Sequence, residues 1–89
     1  MHVGEAVVLG ASKRADGTQE VELKTVCPKA DFERLNVVLG SCRVVVPLDR
    51  PAGETSREFK VTMRVDSPIR LGDKLLVEFF YTGEQAGVH

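Results

Sequence analysis

The sequence predicts an all-β domain: five to six antiparallel strands forming a small barrel or sandwich, with one short helix. Three observations carry this expectation. Arg57–Asp66 alternates apolar and polar residues without a break. Lys74–Thr82 holds three of the five aromatic residues, and aromatic side chains fit a pleated, half-buried surface. Turn signals recur every ~8–12 residues, the spacing of small sandwiches and barrels.

The first strand is expected within Val3–Arg14, where Val3, Val7, Val8 and Leu9 are followed by the polar run Ser12-Lys13-Arg14. Asp16-Gly17 then separates it from Thr18–Val26, and an Asp-Gly pair between two strand-like runs marks a hairpin. A two-residue turn sets Ala15 opposite Thr18 and Lys13 opposite Glu20, an ion pair across the strands. The same register puts Leu9 opposite Lys24 on the polar side, which a bulge at Gly10 repairs by shifting the phase once.

Cys27–Asn36 breaks the alternation. Pro28 suits a first helical turn, Asp31 and Arg34 agree with a helix dipole, and Phe32 and Leu35 form an i, i+3 stripe. A helix of one or two turns is predicted there, plugging one end of the sheet.

Val37–Leu48 is valine-rich and kinked or divided at Gly40. The continuous run Val44-Val45-Val46 implies burial on both faces or a sharply coiled sheet. Asp49–Ser56, with Pro51-Ala52-Gly53 at its centre, reads as an exposed loop. In Arg57–Asp66 the inward residues are Phe59, Val61, Met63 and Val65. Ser67-Pro68 ends that strand, and Ile69 and Leu71 are expected to tuck under the sheet. In Lys74–Thr82, Leu75, Val77, Phe79 and Tyr81 face the core, while Leu76, Glu78, Phe80 and Thr82 face away.

At 89 residues the chain has room for one domain, residues 1–89, with 83–89 as a loose tail. A net charge of −1, with twelve basic and thirteen acidic residues spread along the chain, argues against a strong sequence-independent nucleic-acid binder. No apolar run approaches the ~18–20 residues of a membrane span, and Met1–Glu5 lacks the basic start and apolar core of a secretory signal. A cytoplasmic location is the expectation.

Signals for chemistry are weak. Cys27 and Cys42 have no metal-ligand spacing and read as buried free thiols. His2 and His89 lie at opposite ends, so neither supplies an evident base for Ser41 or Cys42. The chain lacks a phosphate-binding glycine loop. No catalytic residue, metal ligand or cofactor is assigned, and the chain is read as a non-catalytic binding or assembly module. It self-associates or docks a protein partner.

The candidate contact residues are Leu76 and Phe80, which either lie under the helix carrying Phe32 or meet another subunit. The Asp49–Ser56 loop is a further contact element. A second reading is an OB-like barrel binding single-stranded nucleic acid through Arg43, Lys60 and Arg64, with Phe80 as a stacking platform. Its ordinary counterpart is a salt-bridged outer face shared with Glu58, Asp66 and Glu78. A third reading is a small-molecule-binding barrel with Tyr81 as its polar handle.

Overall fold

Among the described residues six antiparallel strands make one sheet: β1 (His2–Lys13), β2 (Gln19–Cys27), β3 (Phe32–Leu39), β4 (Cys42–Pro47), β5 (Thr55–Met63) and β6 (Lys74–Tyr81). The computed structural model of the chain describes residues 1–28, 32–48 and 55–83. The order across the sheet is β4-β3-β6-β1-β2-β5. The sheet curls so that its two edge strands, β4 and β5, approach each other without forming a ladder, which makes a half-barrel. It is flattened, with extents of 36 × 29 × 19 Å.

The inner face is the core. Val8 and Ala6 from β1, Val21 and Leu23 from β2, Leu35 and Val37 from β3, and Val61 and Met63 from β5 are all buried against Leu75, Val77 and Phe79 of β6. Phe59 and Val65 are half-buried and pack on this cluster, as the alternation of β5 predicts. Gly4 sits on the same face because the Phe79 ring needs its space: a Cβ there would lie 3.3 Å from Cε2 of Phe79. Tyr81 ends the core face and is partly open to solvent, with its ring 4.6 Å from that of Phe32.

The β1–β2 hairpin is longer at its tip than predicted. Arg14 N–H donates to Thr18 O at 2.8 Å and Gly17 N–H to Arg14 O at 3.1 Å, so Ala15, Asp16 and Gly17 form a three-residue loop. Gly17 has φ 85°, the left-handed residue such a loop requires. Asp16 Oδ1 accepts from the Thr18 hydroxyl at 2.6 Å and from its N–H at 3.0 Å. Those two bonds hold the Asp16 carboxyl below its ordinary value.

Lys13 therefore pairs with Gln19 and Ser12 with Glu20, one step from the two-residue register. The expected bulge is present: the register shifts between Val8 and Gly10, and Leu9 is the extra residue. Gly17→Val is expected to cost about 1–3 kcal/mol, because a β-branched residue resists positive φ. Thermal unfolding of the variant measures this, and an unshifted midpoint would refute the turn geometry.

The helix expected over Cys27–Asn36 is a misreading where the segment is described. Cys27 ends β2, and Phe32–Asn36 belong to β3; residues 29–31 lie outside the described part. The cause is a second bulge. Phe32 pairs with Tyr81 and Arg34 with Phe80, leaving Glu33 as an extra residue. An inserted residue moves Phe32 and Leu35, three apart, onto the same inner face, which imitates a helical stripe. Glu33 O accepts from Leu48 N–H at 2.9 Å.

Gly40-Ser41 is the turn of the β3–β4 hairpin, with Leu39 paired to Cys42. Of the two expectations for Val44-Val45-Val46, burial on both faces is not met, since Val44 and Val46 turn inward and Val45 is exposed, whereas the sheet is curled as the other required. Of the β5–β6 connector, Ile69 is buried and Leu71 exposed, so only one of the two tucks under the sheet. Gln19 holds this connector, donating from Nε2 to Ser67 O at 2.9 Å and accepting Ile69 N–H on Oε1 at 3.1 Å. The predicted Asp49–Ser56 loop and the tail lie largely outside the described residues.

Candidate functional site

The outer face of β4, β3, β6 and β1 has an unusual distribution of burial. Strand register places its residues in rows across the wall. One row runs Arg43, Val38, Leu76, Glu5, each paired with the next. The adjacent row runs Val45, Asn36, Glu78, Val3. A third brings Pro47, Arg34 and Phe80 together.

Apolar side chains on this face are open to water: Val45 is 60% exposed, Val3 54% and Leu76 42%. The two polar residues between Val45 and Val3 are buried, Asn36 at 5% exposure and Glu78 at 9%. This inverts the usual arrangement of an outer sheet face. Arg43 Nη1 approaches Glu78 Oε1 at 3.4 Å. Asn36 Oδ1 has no hydrogen-bond partner among the described residues, and a buried unmet acceptor is costly.

The three residues expected to form a contact surface part company. Leu76 is exposed at the centre of the wall. Phe80 also points outward but is 2% exposed, with the Arg34 guanidinium carbon 4.6 Å from its ring centroid. This cation–π cover takes the place of the missing helix. Phe32 faces inward, its ring 5.3 Å from that of Phe79. It therefore covers neither Leu76 nor Phe80.

The three cations are also separated. Arg43 lies on one edge strand beside Glu78, and Lys60 on the other, paired in register with Glu22. Arg64 follows β5 and reaches the Asp16 carbonyl at 3.4 Å. It lines a groove of about 510 Å³ with Leu39, Gly40 and Ser41 of the β3–β4 turn and Asp66 beyond β5. Each cation thus has an acidic residue or carbonyl close by, and Phe80 already carries Arg34 on its ring.

Of the two thiols, Cys27 is fully buried and Cys42 half-buried, and both are free. Cys42 is therefore more open than expected. No group of three or more His, Cys, Asp or Glu side chains able to hold a metal ion occurs among the described residues. Nor does any described helix have the length and apolarity to cross a membrane.

The sequence reading missed Asn36, Val3, Val45 and Glu5 as members of this face. Alternation through Val3, Glu5 and Val7 offered a signal on β1. For Asn36 that signal was hidden by the helical reading of its segment.

Fold and site define an all-β, six-stranded antiparallel half-barrel with an outward apolar and polar face. Comparison with protein-family models, with curated proteins and with solved structures found no match for the chain.

Proposed function

We propose that this chain is a non-catalytic assembly module that docks a protein partner through the outer face of β4, β3, β6 and β1. The observation supporting this reading most directly is the buried pair Asn36 and Glu78, set among exposed Val45, Val3 and Leu76. Exposed apolar side chains gathered on one sheet face mark a contact surface. Closing such a face removes Val45, Val3 and Leu76 from water at ~25 cal/mol per Å² of apolar area. Binding is the activity such a face supports, since among the described residues it brings together no nucleophile and base.

Nucleic-acid binding draws less support. Its platform, Phe80, is covered by Arg34, and its cations are dispersed over both edges of the sheet.

The test is a photo-crosslinking amino acid placed at Leu76 in the intact chain inside cells, with Thr62 on the outer face of β5 as control. Both positions are exposed, so neither replacement disturbs the core. Covalent protein adducts are expected at Leu76 and not at Thr62. No adduct at Leu76, or equal yields at both positions, overturns the reading.

A further inference from the structure

We propose that the occupant of this face is a second copy of the chain, related by a twofold axis lying almost parallel to the strands above the seam between β3 and β6. The inference rests on the docking reading and specifies its partner. The argument is the order of residues in the two central rows.

A twofold axis in the plane between two facing sheets, directed along the strands, exchanges β3 with β6 and β4 with β1. In the first row it sets Arg43 over Glu5 of the second copy and Val38 over Leu76. In the second row it sets Val45 over Val3 and Asn36 over Glu78. Every one of these juxtapositions is complementary: cation with anion, aliphatic with aliphatic, amide with carboxylate. By symmetry each occurs twice.

The alternative axis, across the strands, keeps each strand over its own counterpart. It sets Glu78 against Glu78 when centred on one row, and Arg43 against Arg43 when centred on the other. Like charges brought together in a closing interface are strongly unfavourable. Centred between the two rows it sets Arg43 over Val45 and Leu76 over Glu78, charge against aliphatic, so the pattern favours the axis along the strands.

The shape agrees. The half-barrel curls away from its outer face, so two copies approach most closely at β3 and β6 and diverge toward β4 and β1. Long Arg43 and Glu5 stand at the diverging positions, where reach is needed. Facing sheets pack with strands within about 30° of alignment, which the twofold permits. Each Asn36 also brings its amide N–H groups beside the Glu78 carboxylate of the other copy.

Charge reversal tests this with the purified full-length chain. Arg43→Glu and Glu5→Arg both change exposed residues, and circular dichroism with thermal unfolding checks that each folds, since Arg43→Glu also replaces the cation beside Glu78 of its own chain. Wild type is expected to sediment as a dimer. Either variant alone sets like charges together at two places, and its dimer should dissociate roughly 100-fold more readily.

An equimolar mixture of the two should regain wild-type affinity as a heterodimer. There the carboxylate introduced at position 43 faces the guanidinium introduced at position 5, and native Glu5 faces native Arg43. Single variants that dimerise like wild type, or a mixture that stays monomeric, overturn the arrangement. A wild type that remains monomeric at ~1 mM overturns self-association itself, since a physiologically useful contact is tighter than this. If adducts at Leu76 then have a mass other than twice that of the chain, docking stands and only the second copy is refuted. An absence of adducts at Leu76 refutes both.

Discussion

Phe79→Ala is expected to lower the stability of the domain by about 3–5 kcal/mol, the largest loss foreseen for a single substitution here. The Phe79 side chain is fully buried in the centre of the inner face. It packs on Phe32 at 5.3 Å between ring centroids and on His2 at 6.0 Å, and Gly4 is shaped to receive it. Removing the ring strips three strands of a shared contact, since β1, β3 and β6 meet there. Gly4, under the ring edge, cannot fill the space, so the cavity term adds to the lost transfer free energy. Domains of this size have roughly 5–10 kcal/mol in total, and the unfolding midpoint should fall by on the order of 20 °C. Thermal and urea unfolding measure it; a loss under ~1 kcal/mol would show that Phe79 is not central to the core.

Gln19→Leu is expected to cost about 2–4 kcal/mol, although it replaces a polar residue by an apolar one of similar size. Gln19 is buried on the core face of β2, where leucine would ordinarily be favourable. Its amide, however, is the clamp on the β5–β6 connector. Without it the buried Ile69 N–H loses its acceptor, and the carbonyl of Ser67 loses its donor. Native-state hydrogen exchange should then show faster exchange at Ile69 before the strands are affected. Gln19→Glu keeps the acceptor for Ile69 but turns a charge toward carbonyl oxygens at Ser67 and Val65. That variant should recover stability as pH falls and its carboxyl becomes a donor. If Gln19→Leu is neutral and Ile69 exchange is unchanged, the clamp contributes nothing.

Much of the architecture was legible from residue order. β5 and β6 follow from period-two patterning, since each has one face against a continuous core. Tyr81 departs only in lying where the sheet ends, so half its ring remains in water. The β1–β2 hairpin and its bulge follow from Asp16-Gly17 and Gly10, although the loop length did not: turns of two and three residues share the same Asp-Gly signal. β3 was illegible because the bulge at Glu33 alters the period locally. A pattern with one inserted residue reads three apart, as a helix does.

The candidate face was partly visible. Leu76 stood out as an apolar residue on the side opposite the core, and it is exposed. Phe80 stood out equally but is covered by Arg34, a partner brought alongside by the β3–β6 ladder. Phe32 looked like the cover for both because a helix was expected to carry it.

By itself the sequence determined that this chain folds as a small antiparallel β domain and which face of most strands lies inside. Those properties depend on near-neighbour alternation and on turn chemistry, which residue order contains. Only the tertiary structure decided which strands distant in the chain are adjacent. β6, the last of the described strands, enters between β3 and β1, and no local preference encodes that position. This insertion brings Arg43, Val38, Leu76 and Glu5 into one row, and Asn36 and Glu78 into the next. The buried polar pair, and the complementarity on which the proposed dimer rests, arise from contacts between residues distant in the chain.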